Sequence, residues 1–208
     1  MVLKLNRLKV AETLKSIGLT FFTPQEFVGV FKVPPNTATS FIKRNVKSGL
    51  FIKLRNKFYA LKDAVPSRFF VANKLYEPSY ISLTAALSHY GIIPEVVYGV
   101  TSITTKAARE LTTPKGVFIY QRIKKEGFTG YGLKLIDNDR VLIAEPAKAL
   151  ADYLYFVDVK RVSLNDRLNL KSIKKSALLD FVKLFKRPSM FKLIDNIYAE
   201  YKKPRTIY

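Results

Sequence analysis

"NTATSFIKRNVKSGLFIKLRNKFYAL", residues 36–61, decides how the N-terminal third of this 208-residue chain folds. Ala38, Phe41, Ile42 and Val46 recur at helical spacing and predict one apolar stripe. Thr37, Ser40, Lys43, Arg44 and Lys47 fall on the opposite side, and Gly49 is placed to stop the helix. Beyond the glycine, Leu50, Ile52 and Leu54 alternate as a strand facing a core. This leaves Lys53, Arg55 and Lys57 around the tip of a hairpin over 50–62.

Two further helices are predicted upstream. "NRLKVAETLKSIG" (6–18) spaces Leu8, Ala11, Leu14 or Lys15, and Ile17 on one face, with Gly18 as its stop. "TPQEFVGVFKV" (23–33) opens with Thr23, Pro24 and Glu26, the residue types of a capping box with proline at the first helical position. Phe27, Val30 and Phe31 follow at helical spacing. Pro34 and Pro35 end that segment, and Asn36 or Thr37 is expected to cap the next helix. Three helices and then a two-stranded wing is the order of a winged helix-turn-helix, whose third helix enters the major groove of DNA. On that reading Arg44 suits the O6 and N7 edge of guanine, and Asn36 and Thr37 serve bases or phosphates at the helix N-terminus. Ser40, Lys43 and Lys47 line the same face. Lys53, Arg55 and Lys57 make phosphate contacts, which position without reading sequence.

The charge distribution agrees with a polyanionic partner. The net charge is +20. Residues 1–65 carry 12 basic and 3 acidic side chains, residues 66–158 carry 11 and 9, and residues 159–208 carry 13 and 4. Both ends are strongly basic while the middle is nearly neutral, which separates this chain from one charged evenly for solubility. Apolar residues at 48% exclude a disordered polycation. There is no cysteine, hence no disulfide framework and no thiolate metal site. No secretory h-region or 18-residue apolar run is present, so a soluble cytoplasmic protein with no membrane partner is expected.

Residues 66–208 read as a mixed α/β unit. Helices are predicted over 66–78, 80–91 and 145–156, and strands over 96–105, 116–123, 131–136 and 140–145, the last two joined by "DNDR" (137–140). The tail gives two helices, 172–186 and 188–203, separated at Pro188. The fold class is therefore α+β, with a boundary near 62–67 that divides 1–65 from 66–208 and a helical basic tail from about 160. Ser79 or Ser82 is the expected helix cap in "PSYISLTAAL" (78–87), with Tyr80, Ile81, Leu83, Ala86 and Leu87 in the core.

Several short pieces, in order, resemble one family. "PSYISLTAAL" (78–87), "YGIIP" (90–94), "VTSITT" (100–105), "FTGYG" (128–132) and "AEPAKALADYL" (144–154) are similar to the AbiEi transcriptional-regulator antitoxins of type IV toxin–antitoxin systems. The last piece departs at Pro146 and Ala147, where the family has a Pro-Glu or Glu-Lys order. Covering about residues 5–160, the resemblance implies a winged-helix repressor that binds operator inverted repeats on double-stranded DNA. It also implies a second, antitoxin-like domain that counteracts a nucleotidyltransferase-like toxin of abortive infection, with or without touching it.

Catalytic chemistry is sparse. The single histidine, His89, sits at a helix end. Glu126, Asp137, Asp139, Glu145 and Lys148 are the acidic and basic groups from which a magnesium site would have to be built. Asp137 and Asp139 also suit a turn, and Glu145 a helix N-terminus. "GFTGYG" (127–132) lacks the spacing of a phosphate loop. No enzyme activity and no cofactor are expected. The competing reading is a non-catalytic RNA- or tRNA-binding module in which both basic ends form one patch. In the tail, Ile173, Leu178 or Ala177, Phe181, Leu184 and Phe185 predict a packed helical cap whose lysines lie outside and help hold nucleic acid.

Overall fold

The computed structural model describes residues 5–201, and the ends of the chain carrying Met1–Lys4 and Lys202–Tyr208 lie outside the described residues. The fold is mixed α and β. Among the described residues there are eight α-helices and two sheets, one of three strands and one of six.

The first unit runs α1 (Arg7–Ser16), β1 (Phe21–Phe22), α2 (Pro24–Phe31), α3 (Pro35–Lys47), β2 (Phe51–Arg55) and β3 (Phe58–Leu61). Asn6 caps α1 through its side chain. The capping box of α2 is complete: Thr23 Oγ1 accepts from Glu26 N–H at 3.2 Å, and the Glu26 carboxylate accepts from Thr23 N–H at 2.7 Å. Strand β1 was not legible as a strand, being two residues long. It pairs with β3, giving the order β1-β3-β2. Phe22, Phe27, Phe41 and Phe51 fill the middle of this unit, with Leu14 and Ile42 beside them.

Four local expectations are corrected here. In α1 the buried residues are Val10 and Leu14, while Leu8 and Ile17 are exposed. Helix α3 begins two or three residues earlier than a cap at Asn36 or Thr37 would set it, at Pro35. Pro34 is its N-cap, and Asn36 and Thr37 lie inside the first turn without capping it. Asn45 rather than Val46 completes the buried stripe of α3, bonding its own helix at the Phe41 carbonyl (2.9 Å). In the hairpin the register shifts between Lys53 and Arg55, so Phe51 and Leu54 turn inward and Leu50 and Ile52 are half-buried. A bulge inserts one residue and resets the alternation that the sequence pattern assumed.

The second unit is α4 (Arg68–Leu75), β4 (Ser79–Ile81), α5 (Leu83–His89), β5 (Val100–Thr104), β6 (Arg109–Thr113), β7 (Gly116–Arg122), β8 (Tyr131–Ile136), β9 (Asp139–Ala144), α6 (Pro146–Asp158), α7 (Lys175–Lys183) and α8 (Pro188–Tyr201). The sheet order is β6-β7-β5-β4-β9-β8. Residues 80 and 81, expected in a helix, form the central strand β4, which pairs antiparallel with β5 and parallel with β9. Strand β6 was also not anticipated, since "RELTT" shows no apolar alternation. Asp137 and Asn138 both have positive φ, as a two-residue type I′ hairpin turn requires.

Ser82 stands at the N-cap of α5, as one of the two expected residues, but its side chain does not cap the helix. Its hydroxyl is drawn to Asp152, and the helix N-terminus is closed from outside by Thr101, whose Oγ1 accepts from Ala85 N–H at 2.9 Å and donates to the Ser82 carbonyl at 2.7 Å. The tail helices pack on α6, as the expectation of a helical cap requires. The two units share apolar contacts: Phe21 of β1 lies 5.6 Å from Phe58 and 6.0 Å from Phe70 of α4, centroid to centroid, and Leu54 and Ala60 join the larger core.

Candidate nucleic-acid interface

Helix α3 is amphipathic because its apolar residues recur every three or four positions, so burying one stripe against the phenylalanine core forces the rest outward. Asn36, Ser40, Lys43, Arg44 and Lys47 are all exposed on that outer surface, and Thr37 is half-buried. With Pro35 at the first position and no side-chain cap, the first-turn N–H groups of Asn36 and Thr37 are left for an external acceptor. The Arg44 guanidinium lies 5.8 Å from the Phe41 ring, which steers its stem across the apolar margin of the helix. At the other end Arg7 donates to the Ser48 carbonyl at 3.1 Å, fixing α1 against the end of α3.

The hairpin supplies two more exposed cations. Lys53 sits on β2, and Lys57 occupies the turn with φ +69°. Arg55 is placed differently. It is half-buried, and its Nη1 donates to the Leu75 carbonyl at the end of α4 at 3.2 Å, so it ties the hairpin to the second unit. Of the nine residues predicted for contact, the structure brings five onto the outer face of α3, leaves Thr37 at its edge, and separates Arg55 from the exposed cations of its hairpin. Lys32, exposed in the turn between α2 and α3 with φ +50°, adds a cation that sequence reasoning passed over. Its only signal is its place before Val33-Pro34-Pro35.

A second constellation was not foreseen. Lys148 and Asp152, one turn apart on α6, form an ion pair in which both side chains are 0% exposed. Tyr80 donates to Asp152 Oδ2 at 2.9 Å and Ser82 donates to the same oxygen at 2.8 Å. The Lys148 ammonium lies 5.0 Å from the Phe185 ring, and Tyr80 stacks on Tyr131 at 4.3 Å. Burial pushes the Asp152 carboxyl above its ordinary range, against the opposing pull of Lys148, Ser82 and Tyr80. Burial, then the Asp152 charge, pushes the Tyr80 hydroxyl up as well. These are the residue types of an acid–base site, but they are closed to solvent. Their evident work is to join α6 to β4 and to the start of α5.

The acidic candidates are dispersed. Asp139 accepts from Ser67 N–H, Asp137 lies in the hairpin turn, and Glu145 stands at the N-cap of α6. Among the described residues, no three His, Cys, Asp or Glu side chains are grouped to hold a metal ion. No helix among them is long and apolar enough to cross a membrane. His89 ends α5 against the rings of Phe69 and Tyr90, and burial lowers its pKa. No family model matches the chain, and no curated protein matches it.

Proposed function

We propose that the first unit is a winged helix that binds duplex DNA, with α3 in the major groove and the β2–β3 hairpin against the phosphate backbone. The observation that carries this is the outer face of α3: Asn36, Ser40, Lys43, Arg44 and Lys47 are exposed together while Ala38, Phe41, Ile42 and Asn45 are buried behind them. Lysines for backbone neutralisation and an arginine for base edges on one helix match the division of labour in DNA reading. The +9 surplus of residues 1–65 supports the same partner.

On this reading the protein is a repressor of its own operon. The ordered motifs of residues 78–154 support an antitoxin role toward a nucleotidyltransferase-like toxin. In the proposed function the larger sheet carries that second activity, and no chemistry at the sealed Lys148–Asp152 pair is needed for either. The test is a mobility-shift titration on the DNA upstream of the coding sequence, against random duplex and structured RNA, at two salt concentrations. Binding that survives random duplex is expected. Equal loss to any duplex, or a preference for RNA, refutes operator reading and favours the RNA-binding alternative.

A further inference from the structure

The six-stranded sheet ends in two different edges. On one side, β6 reads Arg109-Glu110-Leu111-Thr112-Thr113, with charged and polar side chains outward and the Arg109 guanidinium over the Tyr76 ring. This is how sheets protect an edge against pairing. The other edge, β8, is less protected, with Lys134 its one charged residue. It is six residues long, holds neither proline nor bulge, and exposes Leu133 at 59% and Leu135 at 71%.

The hairpin turn fixes which backbone groups of β8 face away from its neighbour. A two-residue turn makes Ile136 and Asp139 a hydrogen-bonded pair, and such pairs alternate along the ladder. The bond from Glu145 N–H to the Gly130 carbonyl, 2.9 Å, confirms that alternation. Gly132, Lys134 and Ile136 therefore bond to β9. Tyr131, Leu133 and Leu135 direct their N–H and C=O groups outward, where β8 has no strand neighbour among the described residues.

We propose that β8 pairs antiparallel with β8 of a second copy of this chain, centred on Leu133. In that register Leu133 meets its own copy, and Leu135 meets the second copy's Tyr131. Lys134 lies opposite Gly132, beside which a side chain would find open space. The pairing is self-complementary, with apolar partners on one face and each lysine stem over a glycine on the other. Charge also favours this place. Lys134 and Arg140 are balanced by Asp137 and Asp139, so the hairpin adds no net charge of its own to the repulsion between two chains of +20. A six-residue strand pair is a small interface, so the contact is weak in free solution. It joins the two copies about a two-fold axis, the symmetry that two half-sites in inverted orientation present. The contact requires no nucleic acid, so it stands or falls separately from DNA binding.

Because the chain has no cysteine, a single introduced thiol reports the contact without background. Facing residues in a hydrogen-bonded antiparallel pair have Cα atoms about 5.5 Å apart, within the span of a disulfide. Leu133→Cys is expected to form a disulfide-linked dimer under mild oxidation, without DNA. Adding Leu135→Lys to that variant is expected to slow the reaction on the order of tenfold, by placing charge in the strand pair. Thr112→Cys, on the exposed opposite edge, serves as the collision control. Cross-linking of Thr112→Cys at the same rate, or a Leu133→Cys chain that stays monomeric, overturns the proposal.

Discussion

Helices α3 and α6 begin alike and end differently. Each is 13 residues long, each has proline at its first position, and neither has a side-chain cap. Helix α3 buries one stripe and holds Lys43, Arg44 and Lys47 in solvent. Helix α6 buries eight of its 13 residues, including Lys148 and Asp152, because α5 and the sheet cover one side and α7 and α8 cover another. A basic residue on a helix is thus a surface tool or an interior strut according to what packs over it. The energetic consequences are opposite in kind: the α3 cations are expected to matter for binding and hardly for stability, the α6 cation for stability alone.

The largest expected effect is at the strut. Asp152→Ala leaves the Lys148 ammonium buried without its partner and should cost about 3–5 kcal/mol, read as a lower midpoint in urea unfolding. Tyr80→Phe keeps the ring and removes one bond to the carboxyl, for a loss of about 1.5–3 kcal/mol by the same measurement. A variant as stable as the parent would show that Asp152 is satisfied without Tyr80. On the other helix, Arg44→Ala should weaken binding to the operator by about 1–3 kcal/mol and relax one base preference. Its unfolding midpoint should move by less than about 0.5 kcal/mol equivalent, as for an exposed side chain. The smallest effect belongs to the hairpin. Lys57→Asn, which suits the positive φ, should weaken all duplexes alike and reduce the slope of log K against log salt by about 1. If Arg44→Ala and Lys57→Asn behave identically on random DNA, Arg44 reads no base.

What the sequence made legible was local. The capping box of α2 depends on Thr23 and Glu26 three residues apart, and the buried stripe of α3 on its own periodicity, so both could be read from short windows. The hairpin connection over 137–140 was marked in the same way, and the structure narrows it to a two-residue turn at Asp137-Asn138. What was not legible depended on distant residues. Lys148 and Asp152 at i and i+4 look like an exposed helix pair. Only Tyr80 and Ser82, some 70 positions earlier in the chain, together with the tail helices, put them inside. Ser82 looked like a cap for the same reason, since the carboxyl that claims its hydroxyl is remote in sequence. Strand β1 is too short to show a period, and Arg55 carries no sign that its partner is the Leu75 carbonyl. Of the candidate interface, the helix face was readable in advance and the division within the hairpin was not.

That last bond has a mechanical side. The hairpin is clamped beside its turn, not hinged: Arg55 grips the end of α4, and Phe21, Phe58 and Phe70 press together beside it. Helix α4 in turn holds the large sheet, where the Asn73 amide donates to the Leu142 carbonyl at 3.2 Å and accepts from the Leu142 N–H at 2.7 Å. A torque applied at the tip of the hairpin therefore runs through α4 into β9. Whatever orients the small unit also sets the heading of the large sheet, as a handle turns a blade.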